Sequence, residues 1–249
     1  VNVGSLMPVS RSDLLRELEL MPFWRLRQNP ALAMSVVQTQ AGPAPAQPAG
    51  TPSLPKVEVA TPMTGADSWD ALEAEIRACA RCALHAGRTH GVPGVGDRQA
   101  DWLIVGEAPG AEEDKRGEPF VGQAGKLLDA MLAAIRLQRG ANVYIANVLK
   151  SRPPANRDPA PDEVAACLPY LQRQIALIQP KIILALGRFA AQSLLNTDTP
   201  IGKLRGCVHL YQGVPLVVTY HPAYLLRNAA DKSKAWEDLL LAARTFRGG

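Results

Sequence analysis

The stretch from Trp102 to Gly125, WLIVGEAPGAEEDKRGEPFVGQAG, limits the fold more than any other part of the chain. Trp102 to Val105 are apolar without alternation, the pattern of a parallel strand buried on both faces. The run stops at Gly106-Glu107-Ala108-Pro109-Gly110, where two glycines and a proline predict a tight loop whose backbone approaches a ligand closely. A charged segment and Glu118-Pro119-Phe120-Val121-Gly122 follow, and an amphipathic segment opens near Gly125. Open α/β sheets bind ligands outside the carboxyl ends of their strands, so this loop is the expected place of an active site.

The rest of the body repeats the pattern. Leu127, Leu128, Met131, Leu132 and Ile135 mark one face of a helix over Lys126 to Leu137. Val143 to Val148 reads as a second buried strand. Its Asn147 is either a strand-end cap or a polar group on the same sheet edge as Glu107. The loop from Lys150 to Arg157, which carries Arg152, is basic and proline-stiffened, and reads as either solvated or phosphate-contacting. Pro161-Asp162-Glu163 opens a helix with the stripe Leu168, Leu171, Ile175 and Ile178. A third buried strand over Lys181 to Gly187 precedes a short helix through Leu195. Cys207–Tyr211 and Val214–Tyr220 form a hairpin turning at Gln212-Gly213, and a helix from about Lys232 to Thr245 ends the pattern. This alternation predicts an α/β fold, a three-layer αβα sandwich around a mostly parallel sheet.

Composition divides the chain. Residues 1–29 hold a helical pattern with Leu14, Leu15, Leu18 and Leu20, read either as a packing appendage or as a docking peptide for a protein partner anchored by Phe23 and Trp24. Residues 30–67 are rich in Ala, Pro, Gln, Gly and Thr and read as a linker; the catalytic domain is expected over 68–249. Of 249 residues 47% are hydrophobic, enough for a core, and the net charge of +4 is compatible with a polyanionic partner without establishing one. No apolar run is long enough to span a bilayer and no signal-peptide pattern is seen, so a soluble cytoplasmic protein is expected, with nothing demanding more than a monomer.

Four cysteines in such a chain read as ligands or buried thiols rather than disulfides. Cys79-Ala80-Arg81-Cys82 ends a helix capped by Ser68; the spacing fits a metal or iron–sulfur site, a redox pair or chance. Ligation is favoured because the pair closes a helix rather than opening one after a strand.

Taken in order, GEAPGAEED…GEPFVGQAG, YIANVLKSRPP and HPAYLLRN make the segment from Ser68 to Phe246 resemble a family 4, iron–sulfur type, uracil-DNA glycosylase. The resemblance implies a DNA-repair enzyme that flips uracil out of DNA and hydrolyses its N-glycosidic bond, leaving an abasic site. It implies Phe120 as the residue stacking on the base and Asn147 as the reader of the uracil edge, with Gly106 and Gly110 among the substrate-binding positions. His221 is implied as the donor to uracil O2, and Glu107 or Glu113 as the carboxylate serving the sugar, Glu107 ranked first. Ala108 stands where other families have an aspartate, and Gly110 where others have a tyrosine that excludes thymine. Leu225 stands where the family inserts a wedge into DNA, with core packing as the alternative; Arg227 reads as a phosphate contact or a solvated side chain, and Arg152 as a phosphate contact from its basic loop.

The resemblance also implies a 4Fe-4S cluster on Cys79, Cys82 and Cys167. The remaining ligand position holds Ser151, a much poorer ligand because its hydroxyl is hard to deprotonate. A 4Fe-4S cluster with an oxygen ligand, a three-iron cluster and a metal-free protein all stay open, a labile cluster being the expectation. Cys207 substitutes only if the hairpin folds back. The absence of a lysine nucleophile from the motifs predicts no Schiff-base strand cleavage. The alternative function is a non-catalytic DNA-binding or replication-associated protein that kept the fold.

Overall fold

The computed structural model describes residues 68–248. The appendage and linker expected over 1–67, with Phe23 and Trp24, lie outside the described residues. The chain opens with helix α1 (Trp69–Ala78), whose first turn is capped by Ser68 Oγ accepting from Ala71 N–H at 3.2 Å. Edge strand β1 (Val95–Gly96) leads to β2 (Trp102–Gly106), α2 (Ala111–Arg116), α3 (Gln123–Ala134) and β3 (Val143–Asn147). Then come α4 (Pro161–Ile178), β4 (Ile182–Leu186), α5 (Arg188–Leu195) and α6 (Ile201–Leu204). The hairpin β5 (Val208–Tyr211) and β6 (Val214–Thr219) precedes α7 (Pro222–Arg227) and α8 (Lys232–Gly248).

The six strands lie in the order β1-β3-β2-β4-β6-β5, with β3, β2, β4 and β6 mutually parallel and the two edge strands antiparallel. From β2 the chain goes first to the β3 side and then back across to β4, so the strand order reverses at β2. That reversal is the switch point at which an open sheet leaves a crevice.

Successive residues of each central strand serve opposite faces. Leu103, Val105, Tyr144, Ala146, Ile183 and Ala185 pack with Leu171, Ile175 and Ile178 of α4 and Ala190, Ala191 and Leu194 of α5. Trp102, Ile104, Val143, Ile145, Ile182 and Leu184 pack with Leu128, Met131 and Leu132 of α3 and Ala235, Leu239 and Ala242 of α8. The central strands are buried along their whole length, which explains why their sequences run apolar without alternation. Truncating one of these side chains, such as Leu132→Ala, costs about 2–5 kcal/mol through lost transfer energy and the cavity left behind. The three-layer α/β architecture thus follows from the burial pattern.

Several short elements are additional to the sequence reading. β1, α2 and α6 are too short to carry a clear period. The segment after His221, to which the sequence reading gave no element, is the short helix α7, with Pro222 at its first turn and His221 as its N-cap.

Candidate active site

The loops at the carboxyl ends of β2, β3, β4 and β6 surround a cavity of about 690 Å³. Glu107, Gly110, Glu113, Phe120, Asn147, His221 and Arg227, dispersed over more than a hundred positions of sequence, all line it. The sheet register does the gathering. Gly106 of β2 stands beside Asn147 of β3, and Leu186 of β4 beside Thr219 of β6, two residues before His221. Backbone bonds from Val148 and Leu149 N–H to the carbonyls of Gly106 and Glu107, both 3.0 Å, carry the ladder into the loops.

Phe120 is held in an unusual backbone conformation, φ +55°, which costs an aromatic residue energy and persists only where its surroundings impose it. Glu113 Oε1 accepts from Val121 N–H at 2.9 Å and Gly122 N–H at 3.0 Å on one side. On the other, Arg139 donates to the Pro119 and Phe120 carbonyls at 3.0 and 2.9 Å. Phe120 itself is approached closely at two glycines. A Cβ on Gly125 would lie 1.8 Å from the Phe120 carbonyl oxygen. A Cβ on Gly106 would lie 2.4 Å from Asn147 Oδ1 and 2.6 Å from the Phe120 ring, so these two side chains share the space over a bare backbone.

Asn147 is 2% exposed, and its Oδ1 has no hydrogen-bond partner. Leaving a buried acceptor unpaired costs about 1–3 kcal/mol, so this oxygen is poised for a donor from a ligand. The Asn147 backbone carbonyl, in contrast, accepts from buried Lys150 Nζ at 2.7 Å, which also donates to Gln174 Oε1 at 2.7 Å. Burial drives the Lys150 ammonium down to about 7.

His221 Nδ1 accepts from Ala223 N–H at 3.2 Å. A backbone amide only donates, so Nδ1 carries no proton and the neutral ring carries it on Nε2. Burial, reinforced by the Arg227 cation and opposed by Glu113, lowers the His221 pKa to about 4, keeping the imidazole neutral at pH 7. Its ring lies 5.5 Å from that of Phe120, centroid to centroid. Glu107 is raised to about 7, first by burial and then by Asp158, with Arg188 opposing. Arg188 and Asp158 are themselves paired at 2.9 Å across the cavity rim.

Several sequence expectations take a different form. Glu113 spends one carboxylate oxygen on the loop that carries Phe120, while the other stands 2.7 Å from where a Cβ on Gly110 would sit, filling the space beside that glycine. Arg152 bonds Asn156 at 2.8 Å and is not among the cavity-lining residues. Leu225, at 1% exposed, packs in the core beneath α7, the packing alternative to a wedge, and its neighbour Leu226 is 49% exposed. Cys207 stays on the hairpin, beside His209 Nε2 at 3.3 Å and the Leu204 carbonyl, and does not join the other cysteines. Arg139, Asp158 and Arg188 escaped the sequence reading. Arg188, directly after β4 and Gly187, was findable by the same carboxyl-end rule that singled out Glu107.

The implied cluster position can be tested on the donors present. Cys82 and Cys167 share an apolar cluster with Leu84 and Leu149, and Cys79 packs beside Tyr170. Ser151, 2% exposed, accepts from Arg88 Nη1 at 2.7 Å. Among the described residues no three His, Cys, Asp or Glu side chains are grouped to hold a metal ion. Three thiols and a hydroxyl already accepting from a guanidinium do not supply the four thiolates of an ordinary 4Fe-4S cluster.

Comparison with known proteins agrees with the geometry. The family model described as the uracil DNA glycosylase superfamily matches residues 93–240. A type-4 uracil-DNA glycosylase of Archaeoglobus fulgidus is 49% identical over 64% of this chain and 84% of its own length. Those of Pyrobaculum aerophilum and Sulfurisphaera tokodaii are 44% and 45% identical, over 70% and 65% of this chain and 91% and 77% of their own lengths. With these matches spanning the strand-end loops that build the cavity, the chain belongs to the uracil DNA glycosylase superfamily, in its type-4 branch.

Proposed function

We propose that this chain removes uracil from DNA by hydrolysing the bond between the base and C1′ of its deoxyribose. The observation that carries the reading is the unpaired Asn147 Oδ1, buried at the cavity floor beside Phe120. Uracil presents a donor at N3–H and an acceptor at O4; Asn147 meets the first with Oδ1 and the second with Nδ2–H. Cytosine presents the reverse pattern. The base reaches this depth only when flipped out of the stack, and Phe120 offers it an aromatic face.

As the glycosidic bond breaks, its electron pair moves onto uracil and spreads to O2, while the sugar becomes positive. Neutral His221 donates its Nε2–H to O2, a preorganised donor of the kind worth about 10²–10³ in rate. Glu107, as carboxylate, faces the positive sugar and takes a proton from the water whose oxygen bonds to C1′; uracil leaves and an abasic site remains. Glu113 acts here as a positioning residue for the Phe120 loop. Arg227, at the rim, and exposed Leu226 are the DNA contacts in this reading. No step runs through the cysteine corner. Among the described residues no helix is long and apolar enough to cross a membrane.

The test is uracil release from a uracil-containing oligonucleotide by wild type beside Asn147→Ala. Release by wild type with a loss of at least a hundredfold in the variant is expected. No release by folded wild-type protein would refute the reading in favour of a DNA-binding protein without catalysis.

A further inference from the structure

Arg88 is not among the cavity-lining residues; it lies half-buried at the corner where α1 ends, and its one guanidinium makes three bonds. Nη1 donates to Ser151 Oγ at 2.7 Å. Nη2 donates to the carbonyls of Arg77 at 2.8 Å and Cys79 at 2.9 Å. Carbonyls at a helix C-terminus lack partners within the helix, and a cation there also meets the negative end of its dipole. Arg88 therefore ties the end of α1, with Cys79, to the loop after β3, with Ser151. The third segment, α4 with Cys167, is joined to α1 by Arg173, which donates to both oxygens of Glu75 at 2.6 and 3.2 Å. It is joined to the other two by apolar contact among Cys167, Cys82 and Leu149.

These are the segments a four-ligand cluster on residues 79, 82, 151 and 167 would cross-link, and metal binding of that kind ordinarily supplies folding energy to the segments it joins. Here the would-be ligand Ser151 is an acceptor already engaged by a cation. We propose that Arg88 takes over the cross-linking role of the fourth cluster ligand, so that this domain holds its cysteine corner together with no cluster bound. The substitution at position 151 and the guanidinium that meets it form one device.

The experiment measures iron per chain and the melting temperature of the full-length protein, before and after treatment with a chelator under reducing conditions. A change below about 2 °C on chelation is expected for wild type, against a fall of roughly 5–10 °C for Arg88→Met. Arg88→Lys keeps the charge but not the forked geometry, and should fall nearly as far. In the double variant Arg88→Met, Ser151→Cys, iron uptake and recovered melting are expected, because ligand and guanidinium then substitute for one another. Four irons per wild-type chain with a fall of more than about 5 °C on chelation would overturn the proposal, as would Arg88→Met melting with wild type. Should Arg88→Met not fold, wild type before and after chelation decides alone. None of these readouts uses uracil release, so this proposal and the glycosylase reading fail separately.

Discussion

The cavity at the strand ends and the cysteine corner flank the same strand, β3, and are built on opposite principles. In the cavity, chemistry is left open. Asn147 Oδ1 lacks a partner, Phe120 sits at φ +55°, and Glu107 is pushed to about 7 by burial. At the corner, Arg88 bonds Ser151 and two helix-end carbonyls, and Lys150 bonds Asn147 O and Gln174. Burial shifts ionisable groups in both places, Glu107 up and Lys150 down, but the unmet hydrogen bond lies in the cavity, where a ligand can complete it, whereas the Arg88 and Lys150 donors at the corner are already paired. Changes in the cavity should therefore cost activity and spare stability, and changes at the corner the reverse.

The largest effect expected is on catalysis. His221→Ala should slow uracil release about 10²–10³-fold in single-turnover assays, about 3–4 kcal/mol in the barrier, while urea unfolding moves little. Equal losses in both measurements would erase the contrast between the regions. Lys150→Met tests the other side. It leaves Asn147 O and Gln174 Oε1 without their buried donor, so urea unfolding should show a loss of about 2–4 kcal/mol.

Glu107→Gln sharpens the comparison with a sign. The folded carboxyl titrates near 7 rather than at 4.5, so between these values the folded chain binds more protons than the unfolded one. Its contribution to stability therefore falls as pH rises from about 4.5 through 7. At pH 8 Glu107→Gln should be more stable than wild type by on the order of 1–3 kcal/mol, yet release uracil more slowly. Wild-type release should also rise as pH climbs through about 7, where the carboxylate forms, and the variant should lose that limb. The smallest effect belongs to neither region. Arg98→Ala removes exposed pairs with Asp70 and Glu73 and should change stability by under about 1 kcal/mol.

Legibility in the sequence followed the range of the interaction. Ser68 as a cap, Pro161 as a helix start and the turn at Gln212-Gly213 are decided within four residues of chain, and each stands where local chemistry put it. Phe120 was readable as a site residue only through its motif. That Arg139 and Glu113 hold it in a left-handed conformation involves partners up to 20 positions away, for which no local pattern exists. Leu225 and Leu226 are indistinguishable by type; only the angle at which α7 meets the core buries one and exposes the other.

The sequence by itself determined the layers, because unbroken apolar runs must be covered on both faces and amphipathic helices supply the cover. It also determined the reading as a type-4 uracil-DNA glycosylase, through motifs whose order and residue types are visible without coordinates. Tertiary structure alone decided the electrostatics and the division of labour. Burial sets Glu107 near 7 and His221 near 4, a backbone N–H fixes the tautomer of His221, and the fold brings Arg88 against Ser151 across 63 positions. Charge and hydrogen bonding depend on distance in space and on exclusion of water, and neither is written in the spacing of residues along the chain.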